Sequence, residues 1–239
     1  MKNKNFLIVG GSSGIGAAMA KRLVSSGANV FSASRHAGDD PSVFHLDFNA
    51  QHADFQSFAA LPDVLDGVAY CPGTINLKPF HRLTLADFQN DFQNDFHINL
   101  LGAVGVLQTV LPRLKKAEGS ASVVLFSTVA VQTGMSFHAS VAAAKGAVEG
   151  LTRALAAEWA SAKIRVNAVA PSLTDTPLAK NLLSTDDKKE ASNRRHPLGR
   201  YGTAADVAAV ATFLLSDEAS WITGQIFGVD GGLGSLRNI

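Results

Sequence analysis

Phe6-Leu-Ile-Val-Gly-Gly-Ser-Ser-Gly-Ile-Gly-Ala17 decides how the rest of the chain is read. Phe6 to Val9 is an apolar run of strand length. Gly10, Gly11, Ser12, Ser13, Gly14, Ile15 and Gly16 then form a glycine-rich turn. Ala18, Met19, Arg22, Leu23 and Ser26 recur at helical spacing before a stop at Gly27. Gly10 and Gly14 can adopt backbone angles closed to residues with a Cβ. Gly16 would let the helix lie close against the strand. The free N–H groups at the helix start, with the helix dipole behind them, favour a phosphate. A tight turn in any α/β protein is the plainer reading. Context raises the phosphate reading above it, because strand, glycine turn and helix follow in the required order.

The 239 residues suit one domain, 1–239, with a full core. Basic and acidic residues nearly cancel, 21 against 20, and no basic stripe is visible. A nucleic-acid partner is therefore not expected. Cys71 is the single cysteine, so no intrachain disulfide can form and the cytoplasm is the expected compartment. Lys2 and Lys4 ahead of an apolar run resemble the start of a secretory signal, but the run breaks too soon, at Gly10. No apolar stretch is long enough for a bilayer, so no membrane partner is expected. The sequence suggests no metal site.

Further along, strands are expected over 28–34, 42–46, 66–71, 121–126, 164–170 and 225–229. Helical patterns separate most of them: 54–61, about 84–116, about 137–160 and 204–215. Alternation of this kind gives an α/β fold, a Rossmann-type doubly wound parallel sheet of about seven strands with helices on both faces. Residues 36–41 are too few for a normal parallel crossover, so the connection between the second and third strands should be shortened. Gln89-Asn-Asp-Phe92 repeats at once as Gln93-Asn-Asp-Phe96. Four residues are close to one helical turn, so Phe88, Phe92 and Phe96 should share a face; the repeat reads as structural. Residues 172–200 are polar and rich in breakers, which suggests a mobile loop or lid.

In such a sheet the second strand ends at the adenosine ribose. Ser34, Arg35 and His36 stand there and no carboxylate does. That favours NADP, as NADPH, over NAD, with Arg35 on the 2′-phosphate; a merely solvated arginine is the alternative. Asp47 follows the third strand, where it could accept from the adenine amino group or cap the next segment.

At this point the chain resembles the short-chain dehydrogenase/reductase family over nearly its whole length. The similarity rests on Gly10-x-x-x-Gly14-Ile15-Gly16, on Asn99 in Ile98-Asn-Leu100, on Lys145 and on Arg165-Val-Asn-Ala-Val-Ala-Pro171. Thr176, Pro197-Leu-Gly-Arg200, Ile222-Thr-Gly-Gln225 and Val229-Asp-Gly-Gly232 extend it. The resemblance implies hydride transfer between a nicotinamide and a small carbonyl, alcohol or activated alkene. It implies a lysine that holds the nicotinamide ribose, an asparagine at a water relay, and Thr176 on the carboxamide. It also implies a homodimer or homotetramer built on the two long helices and the last strand.

Departures from the family pattern fall at the chemistry. Four residues before Lys145, where the family carries a tyrosine, stands Val141. Thr128 takes the place of the family's serine, with Ser127 beside it; Ser172 replaces a glycine after Pro171. Val9 replaces a threonine, and Tyr70-Cys-Pro-Gly73 replaces Asn-Asn-Ala-Gly, keeping Gly73 for the cofactor. His138 lies seven residues before Lys145, near two helical turns, the spacing at which enoyl reductases of the superfamily carry their tyrosine. Imidazole titrates near neutral pH, so His138 is a candidate replacement acid; satisfying a loop carbonyl is its plainer role. The candidate catalytic set is therefore Asn99, Thr128, His138 and Lys145. A protein that binds the cofactor without turnover, as a sensor or assembly partner, is the alternative function.

Overall fold

The computed structural model describes residues 1–52 and 54–236. Its strands are β1 (Asn5–Val9), β2 (Asn29–Ser34), β3 (Val43–Asp47), β4 (Gly67–Tyr70), β5 (Ala121–Phe126), β6 (Ile164–Pro171), β7 (Thr174–Asp175), β8 (Gly202–Thr203) and β9 (Ile226–Val229). Its α-helices are α1 (Gly14–Ser25), α2 (Leu85–Phe96), α3 (Gly102–Leu114), α4 (Ala130–Thr133), α5 (Ala139–Trp159), α6 (Asp186–Arg195) and α7 (Ala204–Leu215). Seven strands make one sheet in the order β3-β2-β1-β4-β5-β6-β9, and every pairing is parallel. β7 and β8 form a separate two-residue pair.

Successive side chains of a strand point to opposite faces. Along β1, Leu7 and Val9 join one core with Val106, Leu107, Val148 and Val166, under α3 and α5. Phe6 and Ile8 join the other, with Met19, Leu23, Val207 and Leu214 of α1 and α7. A strand buried on both faces must be apolar throughout, which is why β1 shows no polar alternation. No helix links β2 to β3, as the short connection predicts. The outer edge is correspondingly bare: Phe44 of β3 stacks on Phe31 at 5.1 Å and stays 58 % exposed.

Two expectations need correction. The helical pattern of 84–116 holds without a break over 85–114, but not as a uniform α-helix. A π-helical turn, His97–Leu101, separates α2 from α3, and the Gly102 N–H reaches back five residues to the His97 carbonyl. The side chain of Asn99 donates to the Asp95 carbonyl at 2.7 Å, and the Tyr70 hydroxyl donates to the Ile98 carbonyl at 2.6 Å. Side chains thus take carbonyls that bear on the helical ladder, and the turn widens to present Asn99 inward. Gly102 makes room for this, since a Cβ there would collide with the Tyr70 hydroxyl.

The second correction concerns 172–200, which is built rather than looped. Pro177–Leu183 is a 3-10 turn, α6 follows it, and β7 pairs with β8. α6 is held by local polar devices. The Thr185 side chain accepts from the Lys188 N–H, acids stand in the first turn and arginines in the last. Lys189 pairs with Asp186, and Arg194 with Glu190. Such a helix carries no apolar stripe for a sequence reading to find.

Candidate active site

The C-terminal ends of the strands open on two adjoining cavities. The first, about 510 Å³, holds the glycine turn from Gly10 through Ser12, Ser13, Gly14, Ile15 and Gly16. It also takes in Ser34, Arg35, Gly73 and Thr176. Gly10 and Gly14 have φ of +78° and +53°. A Cβ on Gly16 would run into the Gly10 carbonyl, so only glycine lets α1 come this close to β1. Ser13 caps α1 without a side-chain hydrogen bond, which leaves first-turn N–H groups facing the crevice. These features fit the pyrophosphate of a dinucleotide. Asp47 does not line this cavity. It ends β3 exposed to solvent, its carbonyl accepts from the Ser57 hydroxyl at 2.7 Å, and the crevice wall there is Phe48 to Gln51.

The second cavity, about 520 Å³, shares Ile15, Cys71, Gly73, Thr176 and Leu178 with the first. Thr128, His138, Val141 and Lys145 line it, with Ile75, Leu77 and Met135 supplying apolar wall. Thr128 and Ser127 differ in what they offer. The Ser127 hydroxyl is committed to Glu149 at 2.8 Å, whereas Thr128 Oγ1 only accepts a long contact from the Ala130 N–H at 3.4 Å. Thr128 is therefore the hydroxyl free to meet a substrate.

Lys145 is buried and its Nζ donates to the Phe126 carbonyl at 2.8 Å. Burial pushes its pKa down to about 8, against the opposing pull of Cys71 and Asp95. Burial likewise pushes the Cys71 thiol up to about 12 and raises the Tyr70 phenol. Asn99 stands just behind the cavity wall. A Cβ on Gly73 would lie 3.4 Å from Asn99 Oδ1 and 3.7 Å from Lys145 Nζ, so both groups flank that glycine. Asn99 Nδ2 is fully used, on Thr74 Oγ1 at 2.8 Å and the Asp95 carbonyl, but Oδ1 has no partner among the described residues.

His138 occupies the N-cap of α5, with its Nδ1 2.8 Å from the Ser136 carbonyl. A carbonyl only accepts, so Nδ1 carries the hydrogen and a neutral ring leaves Nε2 as an acceptor. His138 can release a proton from Nε2 only as an imidazolium.

Two residues escaped the sequence reading. His196 is almost fully buried on the far wall; its Nδ1 donates to the Ser192 carbonyl at 2.7 Å and its Nε2 faces Ser172 Oγ at 2.8 Å. Asp95, in the second copy of the tandem repeat, is completely buried and accepts from Thr74, Asn76 and Ser140. The repeat is thus more than a lengthened helix. Phe88, Phe92 and Phe96 do stack along one face as its period requires, but its second acid reaches the cavity's supports. The signal for Asp95 was its spacing, four residues ahead of Asn99 on one helix.

Known proteins are similar to this chain along nearly its whole length. A family model described as enoyl-(acyl carrier protein) reductase matches residues 9–234. A tropinone reductase homolog of Arabidopsis thaliana is 34% identical over 98% of this chain and 94% of its own. Thermoplasma acidophilum aldohexose dehydrogenase superposes with a TM-score of 0.86 at 26% identity, covering 100% of this chain and 96% of that one. A 3-ketoacyl-(acyl-carrier-protein) reductase from Brucella melitensis, complexed with NADH, has a TM-score of 0.82 at 26% identity over 98% and 99%. The chain belongs to the short-chain dehydrogenase/reductase family of NAD(P)-dependent oxidoreductases.

Proposed function

We propose that the protein is an NADP(H)-dependent reductase of a small, partly apolar substrate, with an activated alkene preferred over a simple carbonyl, and that Lys145 supplies the proton. One observation carries this reading. A buried amine with a pKa near 8 opens on an apolar cavity whose adjacent wall residue, Val141, has no proton to give. Arg35 and Ser34 would hold the ribose phosphate, the α1 N–H groups the pyrophosphate, and Thr176 the carboxamide. Bound there, the nicotinamide supplies the hydride. Thr128 Oγ1 donates a hydrogen bond to the substrate oxygen, and Lys145, an ammonium below pH 8, gives its proton to the enolate that hydride addition would leave, becoming a neutral amine. Val141, Ile75 and Leu77 keep bulk water off the reacting atoms. Asn99 Oδ1 accepts from a water beside Lys145. An enolate asks less of its acid than an alkoxide does, which is why the alkene is preferred. His138 is the second candidate donor. Trp221, essentially fully exposed near β9, together with the exposed Phe80 ahead of α2 and Leu85 at its start, supports a homodimer or homotetramer.

Consumption of NADPH against enones, enoyl thioesters and ketones tests the reading. Lys145→Met should lower kcat by about 10²-fold or more, and His138→Ala by much less. The reverse pattern would move the acid to His138. Binding of NADPH with no turnover of any substrate would favour the sensor. Titration should show NADPH bound at least about tenfold tighter than NADH, a gap of about 1.4 kcal/mol that Arg35→Ala removes. A preference for NADH would defeat the phosphate assignment.

A further inference from the structure

The two copies of Gln-Asn-Asp-Phe do different work. Asp91, in the first, pairs with Lys78 at 2.6 Å near the surface. Asp95, in the second, is 0 % exposed. Its Oδ1 accepts from Thr74 Oγ1 at 2.5 Å and from Asn76 Nδ2 at 2.9 Å, and Ser140 Oγ closes on Oδ2. One carboxylate therefore ties α2 to the start of α5 and to the segment after β4. Asn99 hangs from the same assembly, through the Asp95 carbonyl and Thr74. Across Gly73 lies Lys145 Nζ.

Three hydrogen bonds satisfy the oxygens of a buried carboxylate, and its charge is balanced by cations nearby; Lys78 is one, but it is exposed and paired with Asp91, so a buried partner is still wanted. Lys145 has the complementary need. Among the groups facing it, the Cys71 thiol is held neutral by burial. Glu149, one turn along α5, is engaged by Ser127 and Arg153. His138, His196, Lys188 and Arg195 on the cavity walls carry no negative charge. Asp95 is the carboxylate left to balance the amine.

We propose that Asp95 is the positioning residue of Lys145: its buried counter-charge and, through Thr74 and Asn99, the anchor that fixes where the amine stands. The inference rests on Lys145 as the proton source. It adds a residue that never touches the substrate and whose charge sets the pH range of the chemistry.

The test reads Lys145 in the full protein without cofactor, so that it does not depend on turnover. Competitive acetylation by acetic anhydride, followed peptide by peptide in a mass spectrometer, gives the titration of that one amine. In the unaltered protein the midpoint should lie near 8. In Asp95→Asn and in Asp95→Leu, which dispenses with the buried lone pairs, it should fall by about one pH unit. The alkaline limb of kcat for NADPH consumption should move with it, while KM for NADPH changes little. A folded neutral variant with an unmoved Lys145 midpoint overturns the proposal. A measurement that leaves Asp95 in place covers failure of its variants to fold. The carbon-13 carboxyl resonance of Asp95 should step at the Lys145 midpoint in the unaltered protein and lose that step in Lys145→Met; no step overturns the proposal. A shifted midpoint in a protein that reduces nothing would sink the enzyme reading and leave the coupling intact.

Discussion

At the scale of single residues, Lys145 couples the site to the stability of the chain. Its amine falls from 10.5 to about 8 on burial. Below pH 8 the folded and unfolded chains both hold the proton, and the folded state bears the whole cost of an ammonium with little water. Between pH 8 and 10.5 the unfolded chain holds more protons, so stability rises with pH across that window. The rise should be of order 3 kcal/mol at ~1.4 kcal/mol per unit. Urea unfolding at a series of pH values should show it in the native protein and lose it in Lys145→Met. The resemblance to the family fixes the places of Thr128 and Lys145 along the chain. For Asp95 the sequence offers only the four-residue spacing from Asn99, and of His196 the resemblance says nothing. What makes each of them unusual is a partner distant in sequence, Ser140 for one and Ser172 for the other.

At the scale of elements, the π-helical turn between α2 and α3 is the decisive piece. It depends on one side-chain bond from outside the helix, Tyr70 to the Ile98 carbonyl. Tyr70→Phe leaves that carbonyl without its donor and should cost about 1–3 kcal/mol in denaturant unfolding. The same change should broaden the Asn99 side-chain amide signals in NMR while leaving those of α1 unchanged. An unaltered Asn99 would show that the turn is held by helix packing instead. Hydrophobic periodicity predicted the helices on both sides of this turn but not the turn itself. Widening by one residue hardly disturbs a pattern sampled every three or four positions. α6 was missed for the opposite reason: its stability is local and polar, and periodicity of apolar residues is blind to it.

At the scale of the whole molecule, the parallel sheet and its two cores were legible because β1 announces them. An apolar run with no polar alternation must be covered twice, and the short link after β2 foretold the bare edge at β3. The two cores should respond to mutation very differently from that edge. Leu107→Ala, which empties a fully buried site under α3, should cost about 2–5 kcal/mol. Phe44→Ser, on the edge, should stay within about 0.5 kcal/mol. Thermal unfolding of both variants compares them directly; equal losses would mean that the outer edge is covered in solution. The strand order further toward β9 depended on the sixth and seventh strands pairing in register, which no local signal encodes. A Cβ on Gly102 would meet the Tyr70 oxygen, so one or the other must shift if 102 gains a side chain. The two sites are therefore coupled, and a library that diversifies position 102 should release position 70 with it.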